Sequence, residues 1–379
     1  MHRRTSAVLG FVLCATSAVS GALGANATTA PPTALTCATD VVSTWSTPRL
    51  AREVVVVSAQ STSTSIMTAA AADGIGGIIL FGTTVPATLV ATLRELPSLS
   101  PSHLNLAVMT DDEGGGVIRT PALTGTWPWA QVMGATMTPA QIEATGRRVG
   151  LALAKAGITM DLAPVADVDG RAVWPSATNP DGYRSFGASP TRDGVDAGAF
   201  ALGLQSAGVV ATIKHFPGLG GASANTDYGP ATTMTWAQLQ SGGLIPFRVA
   251  ISDGAKAVMM SNARVPGLTT GPATLSAAAV TALRALGFHG LIVTDALVAG
   301  AIGAVGLSPS AAGVKAIAAG DDEVLGGTPA TPQAGLTTAL QMAAAINAAV
   351  VKGPLTRAHL VAAAAHVVAT VNPQVCRSL

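Results

Sequence analysis

The chain has 379 residues, 49% of them hydrophobic and only 11% charged, with a formal net charge of +1 at pH 7. That length supplies one large core, and α/β barrels commonly exceed roughly 200 residues as single domains. The near-zero net charge argues against nucleic acid or an anionic membrane surface as partner, and aromatic residues, at 4%, leave few large stacking platforms.

Residues 1–27 read as a signal peptide. Arg3 and Arg4 form a positive n-region, Ala7 to Ala18 an apolar h-region, and Ala25-Asn26-Ala27 a small-residue cleavage site. The competing reading is a retained membrane anchor. Bulky Leu13 before Cys14, and the apolar stretch that continues past it, argue against an acylated cysteine. Downstream, Gly, Pro or polar residues break every apolar run before it reaches ~18 residues, so no stable membrane insertion is expected. Residues 28–36, rich in Thr, Pro and Ala, are expected to be a disordered linker. Residues 37–379 then form one domain. Cleavage would leave Cys37 and Cys376, one near each end, and an even count in an exported chain predicts a disulfide between them.

From there short β-branched runs alternate with Ala/Leu-rich helical stretches. The predicted strands are Val54–Ser58, Gly77–Phe81, Leu106–Thr110, Thr159–Ala163, Val209–Ile213, Ala257–Met260, Gly290–Thr294 and Glu323–Leu325. Most are continuously apolar, as parallel strands buried on both faces require. Between them, Thr138-Pro139 with Gln141 predicts a capped helix start. Further helices are predicted over Arg192–Ala207, Ser276–Leu286 and Ala311–Ala319, and over Thr331–Val371 with a break near Gly353-Pro354. The pattern predicts an α/β fold, a single-domain (β/α)8 TIM barrel, with an open doubly wound sheet as the alternative.

Barrel sites lie at the C-terminal ends of the strands. There the third strand leads into Asp111-Asp112-Glu113, the fifth into Lys214-His215, the sixth into Ser261-Asn262 and the seventh into Thr294-Asp295. Carboxylates accept and cations donate hydrogen bonds, so such a mouth suits a ligand dense in hydroxyls. Gly218-Leu219-Gly220-Gly221 lacks the spacing of a dinucleotide loop, and no phosphate-cradling loop occurs elsewhere. Lys214 beside His215 disfavours a cation, and His359 and His366 are not at i, i+4 spacing. Neither a metal nor a cofactor is expected.

Several segments resemble the glycoside hydrolase family 3 β-N-acetylglucosaminidases. Lys214-His215-Phe216-Pro217-Gly218 matches most of K-H-F-P-G-H-G, and Asp111-Asp112-Glu113-Gly114-Gly115 matches D-x-E-G-G. Ala163 to Val168 fits A-P-V-x-D-V, Arg184 to Gly187 fits R-S-F-G, and Leu286 to Asp295 fits L-G-F-x-G-x-x-x-S/T-D. The resemblance implies a barrel that removes terminal β-linked sugars with retention, with Asp295 as nucleophile. It implies substrate contacts at Asp111, Arg119, Arg184, Lys214 and His215. Asp111 and Arg119 are expected to grip one edge of the ring, and Lys214 and His215 another. Glu113 is expected to hold its loop through backbone hydrogen bonds, and Asp161, Asp167 and Asp169 to fix loops.

One loop departs from the family pattern. Leu219 replaces a His, Asn225-Thr226-Asp227 stands where D-S-H is usual, and Gly116 stands where an Arg is usual. Asp227 is therefore the expected acid/base, since paired carboxyls are the common arrangement in retaining glycosidases. The alternative is an impaired family member that binds glycans at the cell envelope. The expected protein is a secreted or envelope monomer acting on carbohydrate.

Overall fold

The computed structural model describes residues 33–377, apart from 328, 329 and 354. The expected signal peptide lies outside the described residues, as do residues 28–32 of the expected linker. The rest of that linker is ordered. Ala34 to Thr36 form the first turn of a helix over Ala34–Ser43, capped where the Thr33 hydroxyl accepts from the Thr36 N–H at 3.2 Å. The segment departs from the expectation because buried Cys37, one turn on, is bonded to Cys376 with the Cα atoms 5.3 Å apart. Closing a loop across a separation of 339 residues stabilises the fold by up to about 5 kcal/mol in the chain-entropy view.

Eight parallel strands form the central sheet: β1 (Val55–Gln60), β2 (Gly77–Phe81), β3 (Ala107–Thr110), β4 (Met160–Asp161), β5 (Val210–Phe216), β6 (Ala257–Met260), β7 (Leu291–Thr294) and β8 (Val324–Leu325). Each pairs with its successor in sequence. β8 returns to β1 through Val324 beside Val55, and Val293 bridges Glu323 to complete the ring. β4 is cut short because Pro164 supplies no N–H for the ladder, whereas β5 runs on to Phe216.

The side-chain period of two divides each strand between two environments. Val56, Ile79, Ala107, Met109, Met160, Leu162, Val210, Ala257, Met259, Leu291 and Val293 fill the barrel interior, joined by Val367 and Val371 of the last helix. Their neighbours Val55, Val57, Ile78, Leu80, Val108, Ala211, Ile213, Val258 and Ile292 face the surrounding helices.

The helices follow their sequence signals. Pro139–Ala156 opens with the capping box of Thr138 and Gln141 and ends at Gly157 in the left-handed conformation. It packs closely on the helix Pro190–Ser206, where a Cβ at Gly146 would lie 2.3 Å from the Phe200 carbonyl oxygen. The final stretch divides into Pro332–Lys352 and Arg357–Val371. Pro332–Lys352 is long and apolar enough to cross a membrane by length and composition, but Leu336, Ala339, Met342 and Ile346 are spent on the core of the barrel.

Candidate active site

The parity that fills the interior also delivers the polar residues. Counting by twos along β3, Ala107 and Met109 lead to Asp111. Along β5, Val210 and Thr212 lead to Lys214. Along β7, Leu291 and Val293 lead to Asp295. All three side chains therefore arrive at the C-terminal end of the barrel, above the apolar interior.

After β3 the chain folds into a small hairpin of Asp112–Gly114 with Val117–Ile118, too short to be visible as a hydrophobic pattern. Buried Asp112 ties it down by accepting from the Arg119 N–H at 2.6 Å and the Thr120 N–H at 3.1 Å. Glu113 then meets two cations. It accepts from Arg184 Nε at 2.7 Å and Nη2 at 2.8 Å, and pairs with Lys214 Nζ at 2.7 Å. The expected role of Glu113, holding its loop through backbone hydrogen bonds, is thus replaced by a charged one. The two-residue spacing from Asp111 was the available signal, because it puts both carboxylates on one face.

Lys214 Nζ also contacts Asp111 Oδ1 at 2.7 Å. Asp111 and Lys214 are therefore one paired unit rather than grips on separate edges. Burial alone would raise the Glu113 carboxyl, but Arg184 and Lys214 outweigh it and hold the group well below the usual carboxylate range. Burial opposes the Lys214 charge as well, yet Asp111 and Glu113 keep its ammonium above the ordinary value.

His215 is positioned from behind. Asp167 accepts from the His215 and Leu219 N–H groups at 3.1 and 2.6 Å and lies 2.7 Å from His215 Nδ1. Asp167 thus fixes both the ring and the loop after β5. Asp169 fixes the neighbouring loop through Arg171 and the Gly182 N–H. Asp161 accepts from the Asp112 N–H at 3.0 Å. Buried Asp181 was not anticipated from sequence. A carboxylate oxygen each from Asp181 and Asp167 and a ring nitrogen of His215 lie within 4.8 Å of one another. Asp167 is already committed to backbone N–H groups, however, so this cluster lacks the free ligand set that a metal requires.

Asp295 follows β7. Its N–H donates to the Met260 carbonyl at 3.1 Å, and its Oδ1 accepts from the Ala296 N–H at 2.6 Å. Asn262 donates to the Ala296 carbonyl at 2.8 Å, so the polar pair after β6 braces the segment behind Asp295. Burial pushes the Asp295 carboxyl above the usual range. His215 pulls it down, and the like charge of Asp227 raises it. Asp227 is exposed, on a turn where its N–H donates to Asn225 Oδ1 at 2.9 Å. Arg119 lies 5.7 Å from the Phe81 ring centroid, and among the described residues no carboxylate pairs with it.

A cavity of about 250 Å³ gathers these groups. Asp111, Glu113, Arg119, Arg184, Lys214, His215, Asp227 and Asp295 all line it, with Leu219 on one wall. The expected site residues therefore meet in one polar depression at the mouth of the barrel. A family model described as the glycosyl hydrolase family 3 N terminal domain matches residues 51–370. The chain belongs to glycosyl hydrolase family 3. The family-3 domain is 38% identical over 216 residues to the β-hexosaminidase LpqI of Mycobacterium tuberculosis, covering 55% of this chain and 53% of that protein. In that sequence match the chain spans about half the length of its relative. The solved structure of M. tuberculosis LpqI superposes with a TM-score of 0.79 at 30% identity, covering 89% of this chain and 97% of the other. The β-N-acetylhexosaminidase of Beutenbergia cavernae superposes with a TM-score of 0.75 at 30% identity, covering 86% and 98%.

Proposed function

We propose that this family-3 barrel is a secreted, exo-acting retaining β-glycosidase that removes terminal N-acetylglucosamine from cell-wall-derived sugars, working as a monomer. The observation that carries it is half-buried Asp295 in the polar cavity beside Lys214, His215 and Asp227. The Ala296 N–H occupies Oδ1 of Asp295, and Oδ2 has no hydrogen bond among the described residues. Oδ2 attacks the anomeric carbon as the bond to the leaving oxygen breaks, giving a glycosyl ester on Asp295. Asp227 gives its proton to the departing oxygen and then takes one from the water that cleaves the ester. Asp111, Arg119, Arg184, Lys214 and His215 hold the sugar hydroxyls. Export is supported by the Cys37–Cys376 bridge, since disulfides persist in oxidising compartments. The β-hexosaminidase relatives support the choice of sugar.

Hydrolysis of p-nitrophenyl β-N-acetylglucosaminide tests the assignment. Asp295→Ala is expected to lower kcat by about 10⁴-fold or more, and full retention of rate would overturn the nucleophile. Asp227→Asn is expected to cost about 10²–10⁴-fold on poor leaving groups and far less on 2,4-dinitrophenyl glycosides. The second possibility, a glycan-binding member with little turnover, is favoured by Leu219 and by the exposed position of Asp227. It predicts sugar binding by calorimetry with no release from any aryl glycoside.

A further inference from the structure

The chain holds only 5 Trp and 2 Tyr, yet Trp129, Trp174 and Tyr183 form one cluster. Trp129 stacks on Tyr183 with centroids 6.2 Å apart and planes at 27°. Trp174 stands edge-on to both, at 5.2 Å from Trp129 and 6.0 Å from Tyr183. Two perpendicular contacts hold this indole in place, and still the residue is 66% exposed. A large ring held by two aromatic neighbours and still open to solvent offers a pre-set apolar face to a ligand.

Its position is equally specific. Pro175, the next residue, lines the polar cavity, as does Val117, which follows Gly116. Gly116 lies against the cluster: a Cβ there would come 2.8 Å from Trp129 Cζ2 and 3.3 Å from Trp174 Cζ3. The loop carrying Trp174 is also tied to the loop carrying Asp227, because the Asn225 N–H donates to the Ala177 carbonyl at 2.9 Å. A proton donor acts on the leaving oxygen, so the leaving group lies on that side of the site. The cavity, at about 250 Å³, is smaller than the roughly 300–1,000 Å³ that takes a drug-sized ligand. It suits one sugar ring, and a second must rest on the rim.

We propose that Trp174, braced by Trp129 and Tyr183, is the stacking platform for the sugar ring of the leaving group. The ligand is a β-linked pyranose with equatorial substituents, whose axial C–H bonds present an apolar face to the indole. The assignment rests on the glycosidase reading of the cavity. It makes the protein selective for oligosaccharides over glycosides with small aglycones, because rim contacts add only to the longer substrate.

The test compares kcat/KM for two substrates: the β-1,4 disaccharide of N-acetylglucosamine and N-acetyl-β-glucosaminyl fluoride, which has no second ring. Trp174→Ala is expected to lower the disaccharide value by about 3- to 10-fold, mainly through KM, and to leave the fluoride unchanged. Trp174→Phe is expected to restore most of the loss. Gly116→Ala, whose added Cβ would press on Trp129 and Trp174, is expected to reproduce the selective defect. An equal loss on both substrates would make the ring a structural prop and overturn the platform, as would an unchanged disaccharide value. If the wild-type protein turned over neither substrate, the glycosidase reading itself would fall, and that outcome is separate from either result with the variants.

Discussion

Where the strands end, one buried glutamate comes with cations: Glu113 holds Arg184 and shares Lys214 with Asp111. Where the strands begin, Glu53 precedes β1 and Glu323 precedes β8, and neither oxygen of Glu323 has a partner among the described residues. Burial pushes the Glu53 carboxyl up to about 7 against the pull of Arg49. Burial and the neighbouring Glu53 push Glu323 well above the ordinary range. The same residue type is thus held on opposite sides of its ordinary range, low at the mouth and high at the base. The charge of Glu113 is compensated by cations at the mouth, whereas burial without an adequate counter-charge favours the protonated forms of Glu53 and Glu323 at the base.

The two ends consequently respond to pH with opposite sign. Glu113 titrates lower in the folded chain than in the unfolded one, so its contribution is present above the usual carboxylate range and lost as pH falls. Glu53 titrates higher when folded, so its contribution is complete below 4.5 and is lost as pH rises through about 7.

The largest expected effect comes from Glu113→Gln, which leaves Lys214 and Arg184 without their shared counter-charge. A loss of about 3–5 kcal/mol is expected, read as a drop in the urea midpoint at pH 7. An unchanged midpoint would remove the contrast between the two ends. Glu53→Gln is expected to act next. The wild-type protein is expected to lose about 3 kcal/mol between pH 4.5 and pH 8 from this group, and the variant to show a flatter profile. Thermal midpoints across that range measure it, and equal slopes in both proteins would refute neutral burial at the base. The smallest effect concerns the like charges of Asp227 and Asp295. Asp227→Asn takes a negative charge from beside Asp295, so the acid limb of kcat/KM is expected to move to lower pH. A 2,4-dinitrophenyl glycoside, which needs little protonation, isolates that limb. A shift to higher pH would mean that Asp227 does not act on Asp295 through its charge.

The barrel was largely legible in the sequence because parallel strands buried on both faces leave uninterrupted β-branched runs, as at Val54–Ser58 and Gly77–Phe81. The strand-end rule then brought out Asp111, Lys214 and Asp295, whose parity with Met109, Thr212 and Val293 carries them to the mouth. What escaped depended on contacts distant in sequence. The pairing of Glu113 with Arg184, 71 residues away, leaves no local pattern. Asp181 is defined by the burial of its surroundings, and the aromatic cluster joins three separate segments. The hairpin at Asp112–Gly114 was too short for periodicity to show. The Thr33 cap was hidden by Thr/Pro/Ala-rich composition that reads as linker.

The bridge between Cys37 and Cys376 makes nearly the whole chain a covalent ring. A protease that nicks any one surface loop between these residues opens the ring without releasing a fragment. The cut halves stay held together on both sides of the barrel's seam, and they separate on a denaturing gel only after reductant is added. A single hit is therefore survivable.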